Sequence, residues 1–146
     1  MFTMENRTIK VKARPPECVP TQAHDGEWYD LISPMRHDLH EGNWGAIDLG
    51  VCIEVPEGYE AILAPRSSTF KKYGILQTNG VGVIDHSYCG DNDWWKMAIY
   101  ATRDAVIPEG ARIAQFRIQP IQPHCEIEVV DQMGNEDRGG LGSTGV

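Results

Sequence analysis

The sequence predicts an all-β fold: a jelly-roll-like β-sandwich or barrel of many short strands with one short helix. Three observations carry this. Short alternating or apolar runs recur along the chain, turn signals separate them, and a single stretch carries helix signals at both ends. Thr8 to Ala13 alternates, with Ile9, Val11 and Ala13 on one face and Thr8, Lys10 and Lys12 on the other, as in a half-buried strand. Pro15, Pro16 and Pro20 break the pattern, so Arg14 to Asp25 reads as loop. Glu27 to Leu31 is a short strand with an acid, Asp30, among apolar residues. Ser33 to Trp44 is polar, holds Pro34 and Gly42, and reads as loop and turn.

Ala46 to Val55 reads as one longer strand, with Gly50 marking a bulge or a close backbone approach. Pro56-Glu57-Gly58 is a type I turn signature before a strand over Tyr59 to Ala64. The same tripeptide at Pro108-Glu109-Gly110 precedes a strand over Arg112 to Ile118, and Glu126 to Val130 reads as the last strand. The helix spans Thr69 to Tyr73, opened by the hydroxyls of Ser67 and Ser68 and closed by Gly74. Between them, Gly80 to Trp95 (GVGVIDHSYCGDNDWW) reads as a β-hairpin whose second strand is Lys96 to Ala101. It offers a carboxylate, Asp85, and a ring, Tyr88, to a small ring-bearing ligand.

A chain of 146 residues makes one domain and buries roughly 68–70% of its unfolded surface, enough for a core without staples. We divide it into a β domain, residues 1–133, and a tail, residues 134–146, because five of the 15 glycines fall in that last segment. A net charge of -8 argues against a nonspecific nucleic-acid binder, but a few arginines and a divalent cation can reverse the sign locally. The cysteines at 18, 52, 89 and 125 form no C-x-x-C and read as reduced thiols of a cytoplasmic protein. No apolar run approaches membrane-spanning length, and the N-terminus lacks a signal-peptide pattern.

Several stretches suit phosphate. Pro65-Arg66-Ser67-Ser68 joins a guanidinium and hydroxyls to a helix start, and Arg138, Ser143 and Thr144 sit in glycine-rich backbone. There is no P-loop and no G-x-S-x-G elbow, and the H-x-x-H of His37 and His40 has no third ligand nearby.

Taken in order, Asp30, PRSS, NGVGVIDHSYCG, GARIAQF and RGGLGSTG resemble the five motifs of the homotrimeric dUTPase (dUTP diphosphatase) family, in the form of its compact phage and bacterial members. The resemblance runs from about Gly26 to Gly145. It implies a homotrimer with active sites assembled from several subunits, and hydrolysis of dUTP to dUMP and pyrophosphate with Mg²⁺. It assigns Asp85 to the deoxyribose 3′-hydroxyl and the attacking water, and Tyr88 to packing under the sugar against a ribose 2′-hydroxyl. Asn79 and the backbone from Gly82 and Val83 to Met97 would read the uracil edge. Arg66, Ser67 and Ser68 would bind phosphates, Gln115 would contact the α-phosphate region, and Asp30 would orient water ligands of the metal. Arg138, Ser143 and Thr144 would close over the triphosphate from another subunit.

The family's last motif is two residues longer and carries a phenylalanine where this chain has Leu141. Trp94 or Trp95 is therefore the expected replacement for the missing aromatic lid. Two other readings use the same fold. A dCTP deaminase needs a glutamate base near the ring, and none is evident after Tyr88. A non-catalytic nucleotide-binding regulator would not need the full set of polar motif residues that this chain retains.

Overall fold

The computed structural model describes residues 7–23 and 25–142. Its strands are β1 Lys10–Ala13, β2 Thr21–Gln22, β3 Tyr29–Ile32, β4 His37–Leu39, β5 Trp44–Asp48, β6 Val51–Glu54 and β7 Tyr59–Pro65. After a helix, α1 Thr69–Tyr73, follow β8 Ile75–Gln77, β9 Gly82–Ile84, β10 Lys96–Ala101, β11 Ala105–Ile107 and β12 Arg112–Pro120. A five-stranded sheet runs β2-β3-β12-β7-β9, a three-stranded sheet runs β5-β10-β8, and two ribbons pair β1 with β6 and β4 with β11. All pairings are antiparallel. This is the all-β architecture that the alternation predicts.

The core collects the inward positions of these strands. Leu31, Leu63, Ile75, Met97 and Ile113 are fully buried, and Trp95 meets Phe116 edge-on with ring centroids 5.1 Å apart. Each such side chain contributes about 1.5–3 kcal/mol by leaving water, and together they fix which face of each strand turns outward to the site.

Five expectations about strands are corrected. The expected loop over 14–25 holds a two-residue strand, β2, paired with β3. The stretch 80–95 is not a hairpin. Gly82 and Ile84 pair with Leu63 and Ala61 of β7, while β10 is already flanked by β5 and β8, so the chain crosses from one sheet to the other. The expected strand over 46–55 breaks in two at Gly50, where φ is +69°, and β5 and β6 pair with different partners. Within the expected loop 33–44, His37–Leu39 forms β4 and pairs with β11, a ribbon of three residues a strand that is too short for alternation to reveal. Glu126 to Val130 forms no strand: among the described residues no strand pairs with it, and Ile127 and Val129 are each 91% exposed.

The helix has the predicted span, and Gly74 closes it at φ +64° with its N–H donating to the Phe70 carbonyl. The start is different. Ser68 makes no capping bond; instead the fully buried Thr69 hydroxyl accepts from Arg66 N at 3.0 Å and donates to the Ile113 carbonyl at 2.8 Å. That bond ties the start of α1 to β12.

At Gly50 a β-carbon would overlap the Cys18 sulfur and lie 2.8 Å from the Arg14 carbonyl oxygen. We predict that Gly50→Ala lowers unfolding free energy by about 2–5 kcal/mol, combining a strained φ with an overpacked core. Gly58→Ala, at φ +84° with open space around it, should cost only about 1–2 kcal/mol. Chemical denaturation of both variants measures the difference.

Candidate active site

One cleft of about 460 Å³ is lined by Val83, Ile84, Asp85, Ser87, Tyr88, Trp94, Trp95 and Lys96. Strand β9 carries Val83 outward, and Asp85 follows at the strand's end with an exposed carboxylate. A turn closed by Tyr88 N donating to the Asp85 carbonyl brings the ring back beside the acid. Tyr88 is 42% exposed, and its hydroxyl donates to the Trp94 carbonyl at 3.1 Å, which fixes the ring across the loop. The cleft thus presents an apolar wall, one acid and one aromatic ring at its mouth, as a nucleoside requires.

The floor beside it has free backbone. Trp95 bonds to Val51 and Leu49 through its N–H and C=O, so its neighbours along β10 present theirs to the opposite edge. There Ala98 O accepts from Thr78 N, after which β8 ends and the chain turns through Gly80 at φ +70°. Lys96 lies on the same edge, and among the described residues no strand pairs with it there. Asn79, exposed in that turn, adds a side-chain amide. Met97 is buried in the core and its backbone faces the other edge, so Lys96, not Met97, offers groups to a ring edge. Gly82 is buried against Leu63.

A second cluster stands elsewhere on the five-stranded sheet. Asp30 of β3 is directly across from Gln115 of β12. Its buried carboxylate meets Arg66 Nε at 3.1 Å and Arg112 Nη1 at 3.8 Å, while its Oδ2 has no hydrogen-bond partner. Gln115 Nε2 donates to the Pro65 carbonyl, and Ser67 and Ser68 lie at the start of α1 beside Arg66. Two guanidiniums and two hydroxyl-bearing residues gathered beside one acid are chemistry that suits an anion. Thr69 and Arg112 are functional neighbours that sequence reasoning missed. Thr69 is hidden because a buried hydroxyl reads like any helix residue, and Arg112 because its partner is distant in sequence.

The two clusters do not meet. Ile84 pairs with Ala61, which places Asp85 opposite Glu60, whereas Arg66 follows the far end of β7. At about 3.3 Å per residue they stand roughly 20 Å apart. Residues 121–142 are exposed throughout, so Arg138 and Leu141 touch neither cluster, and Ser143 and Thr144 lie outside the described residues. Trp95 is 1% exposed and packs into the core, which removes it as a lid; Trp94 is half-buried and lines the cleft.

A family model described as dUTPase matches residues 18–145. The SPbeta prophage-derived deoxyuridine 5′-triphosphate nucleotidohydrolase of Bacillus subtilis is 50% identical over 120 residues, 82% of this chain and 84% of its own. The deoxyuridine 5′-triphosphate nucleotidohydrolase of Crocosphaera subtropica is 33% identical over 146 residues, covering 98% of this chain and 100% of its own. Among solved structures, the dUTPase of Staphylococcus bacteriophage 80alpha with dUpNHpp superposes with a TM-score of 0.77 at 23% identity, over 97% of this chain and 100% of that one. The dUTPase of phage phi11, described as coordinating a structural Mg(II) ion, gives 0.72 at 22% identity over 86% and 98%. At these identities the superpositions speak for the fold.

Removing the acid from the second cluster leaves two cations facing each other. We predict that Asp30→Ala costs about 1–3 kcal/mol, below the 3–5 of a fully buried pair because both arginines reach solvent. Denaturant midpoints for Asp30→Ala beside Asp30→Asn test it; the amide should lose less because it retains an acceptor for Arg66.

Proposed function

The chain belongs to the dUTPase family and hydrolyses dUTP to dUMP, and we propose that it does so at a site completed by other copies of itself, in a homotrimer. The observation that carries the chemistry is the pairing of Asp85 and Tyr88 at the mouth of one apolar cleft. Asp85 accepts the deoxyribose 3′-hydroxyl and a water. It takes the water's proton as the oxygen bonds to the α-phosphorus, and the bond to the β-phosphate oxygen breaks with pyrophosphate leaving. Tyr88, its hydroxyl spent on Trp94, packs under the sugar and leaves no space for a 2′-hydroxyl. Asn79 and the open backbone at Lys96 receive the uracil edge, with Val83 and Gly82 forming the wall.

The triphosphate goes to the Asp30 cluster of another copy, where Arg66, Ser67, Ser68 and Gln115 bind it. The roughly 20 Å between Asp85 and Arg66 on one chain supports this division. Arg138, Ser143 and Thr144 would close from a third copy, and the free reach of residues 121–142 supports that.

Mg²⁺ suits Asp30 through water. Its buried Oδ2 retains an acceptor, while Arg66 and Arg112 at its side disfavour direct contact with a cation. When bound there, Mg²⁺ would offset phosphate charge. A deaminase reading lacks support, since no described residue lining the cleft is a glutamate.

Asp85→Asn should lower kcat about 10²–10⁴-fold with an unchanged melting curve, and pyrophosphate release from UTP should stay at background. Turnover of UTP at the dUTP rate contradicts the role of Tyr88. Light scattering should return the mass of three chains; a monomer with full activity would end the shared-site reading. Trp94→Ala should raise KM for dUTP, since stacking on a base contributes about 1–3 kcal/mol; an unchanged KM and kcat removes Trp94 as the lid.

A further inference from the structure

Trp94 is a partition. It lines both the nucleoside cleft and a second cleft with Arg14, Pro34, Met35, Asp48, Gly50 and Lys96. A ring so placed needs backing, because the loop that bears it is exposed at Asp91 and Asn92 and has no strand pairing of its own. The backing comes from strand β1. Lys12 Nζ lies 5.1 Å from the Trp94 ring centroid. Arg14, two residues on along the same face, brings its guanidinium carbon to 5.8 Å.

Lys12 also holds the loop itself. Its Nζ donates to the Asp91 carbonyl at 2.8 Å and lies 3.8 Å from the Asp91 carboxylate. Cys52 stands directly across from Lys12 in the β1–β6 ribbon, and its thiol donates to the same carbonyl at 3.6 Å. Burial, the largest influence on the Cys52 thiol, pushes its pKa up despite the nearby Lys12 and keeps it a protonated donor. Farther round the loop, the Asp93 carboxylate accepts from Gly90 N at 2.8 Å.

We infer that Lys12 is a positioning residue for the base of the substrate. It fixes the loop through the Asp91 carbonyl and, with Arg14, holds one side of the Trp94 indole so that the other side stacks in the cleft. The inference rests on the reading of Trp94 as the lid. It explains why an acidic chain sets two cations against one tryptophan at a distance from the anion-binding surface. A cation beside the ring gains from the indole's negative face without needing a phosphate.

Steady-state kinetics of the full-length chain with dUTP test it. Lys12→Met should raise KM about 2–5-fold while kcat falls by less than twofold. Lys12→Arg, which keeps both the charge and a donor, should restore KM to within twofold of the parent. In a Trp94→Ala background, Lys12→Met should change KM no further. Lys12→Gln retains a donor for Asp91 but no cation, and replaces Lys12→Met if that variant melts early.

The proposal is overturned if neutralising Lys12 leaves KM unchanged while Trp94→Ala raises it. It is also overturned if the Lys12 effect is as large in the Trp94→Ala background as in the parent. If Trp94→Ala alone has no effect, the lid reading fails first, and a remaining Lys12 effect assigns the residue to some other contact.

Discussion

The length of β7 is the constraint on which the rest depends. It carries β12 along one edge and β9 along the other, so whatever follows β9 and whatever follows β7 emerge at opposite ends of one strand. Asp85 and Tyr88 belong to the first end, Arg66 and α1 to the second. Asp85 and Arg66 of one chain are therefore separated by most of the length of β7. That separation is what supports the proposed sharing of one site between copies of the chain.

Electrostatics divides along the same line. The Asp85 end has Val83, Ile84 and two tryptophans along its cleft and one exposed acid among the cleft's lining residues. At the other end Asp30 is buried between guanidiniums, so the acid orients them and lowers their net charge without withdrawing them from solvent. An overall charge of -8 is thus compatible with an anionic substrate, because the arginines that matter are gathered on one face. The Thr69 hydroxyl, bonded to Arg66 N and to β12, fixes the backbone from which one of those arginines extends.

Much of this was legible in the sequence. Alternation and paired Pro-Glu-Gly turns marked most strands, and Gly74 marked the end of the helix. The order of the motifs pointed to Asp30, Arg66, Asp85, Tyr88 and Gln115. What escaped were features decided by partners distant in the chain. β9 reads as half of a hairpin until β10 is seen with both edges occupied. Trp94 and Trp95 are adjacent and chemically identical, yet just before β10 Trp95 packs onto Phe116 while Trp94 lines the cleft and meets Lys12. In β10 the Met97 side chain turns into the core, and β8 ends before it reaches Lys96, which leaves that residue's backbone without a strand partner on that edge among the described residues.

The segment after β12 leaves apolar side chains unburied within one chain. Glu126 to Val130 has the alternation of a strand, and Ile127 and Val129 would normally be buried by it, but both are almost wholly in water. Apolar side chains at that exposure gain nothing from folding of this chain alone. In the proposed trimer the same residues would add to a neighbour's sheet, and the arm would then deliver Arg138 to a site proposed to be shared between copies. Burial of the arm and completion of the site would become one event, so active-site assembly would draw on the apolar surface that the monomer leaves exposed.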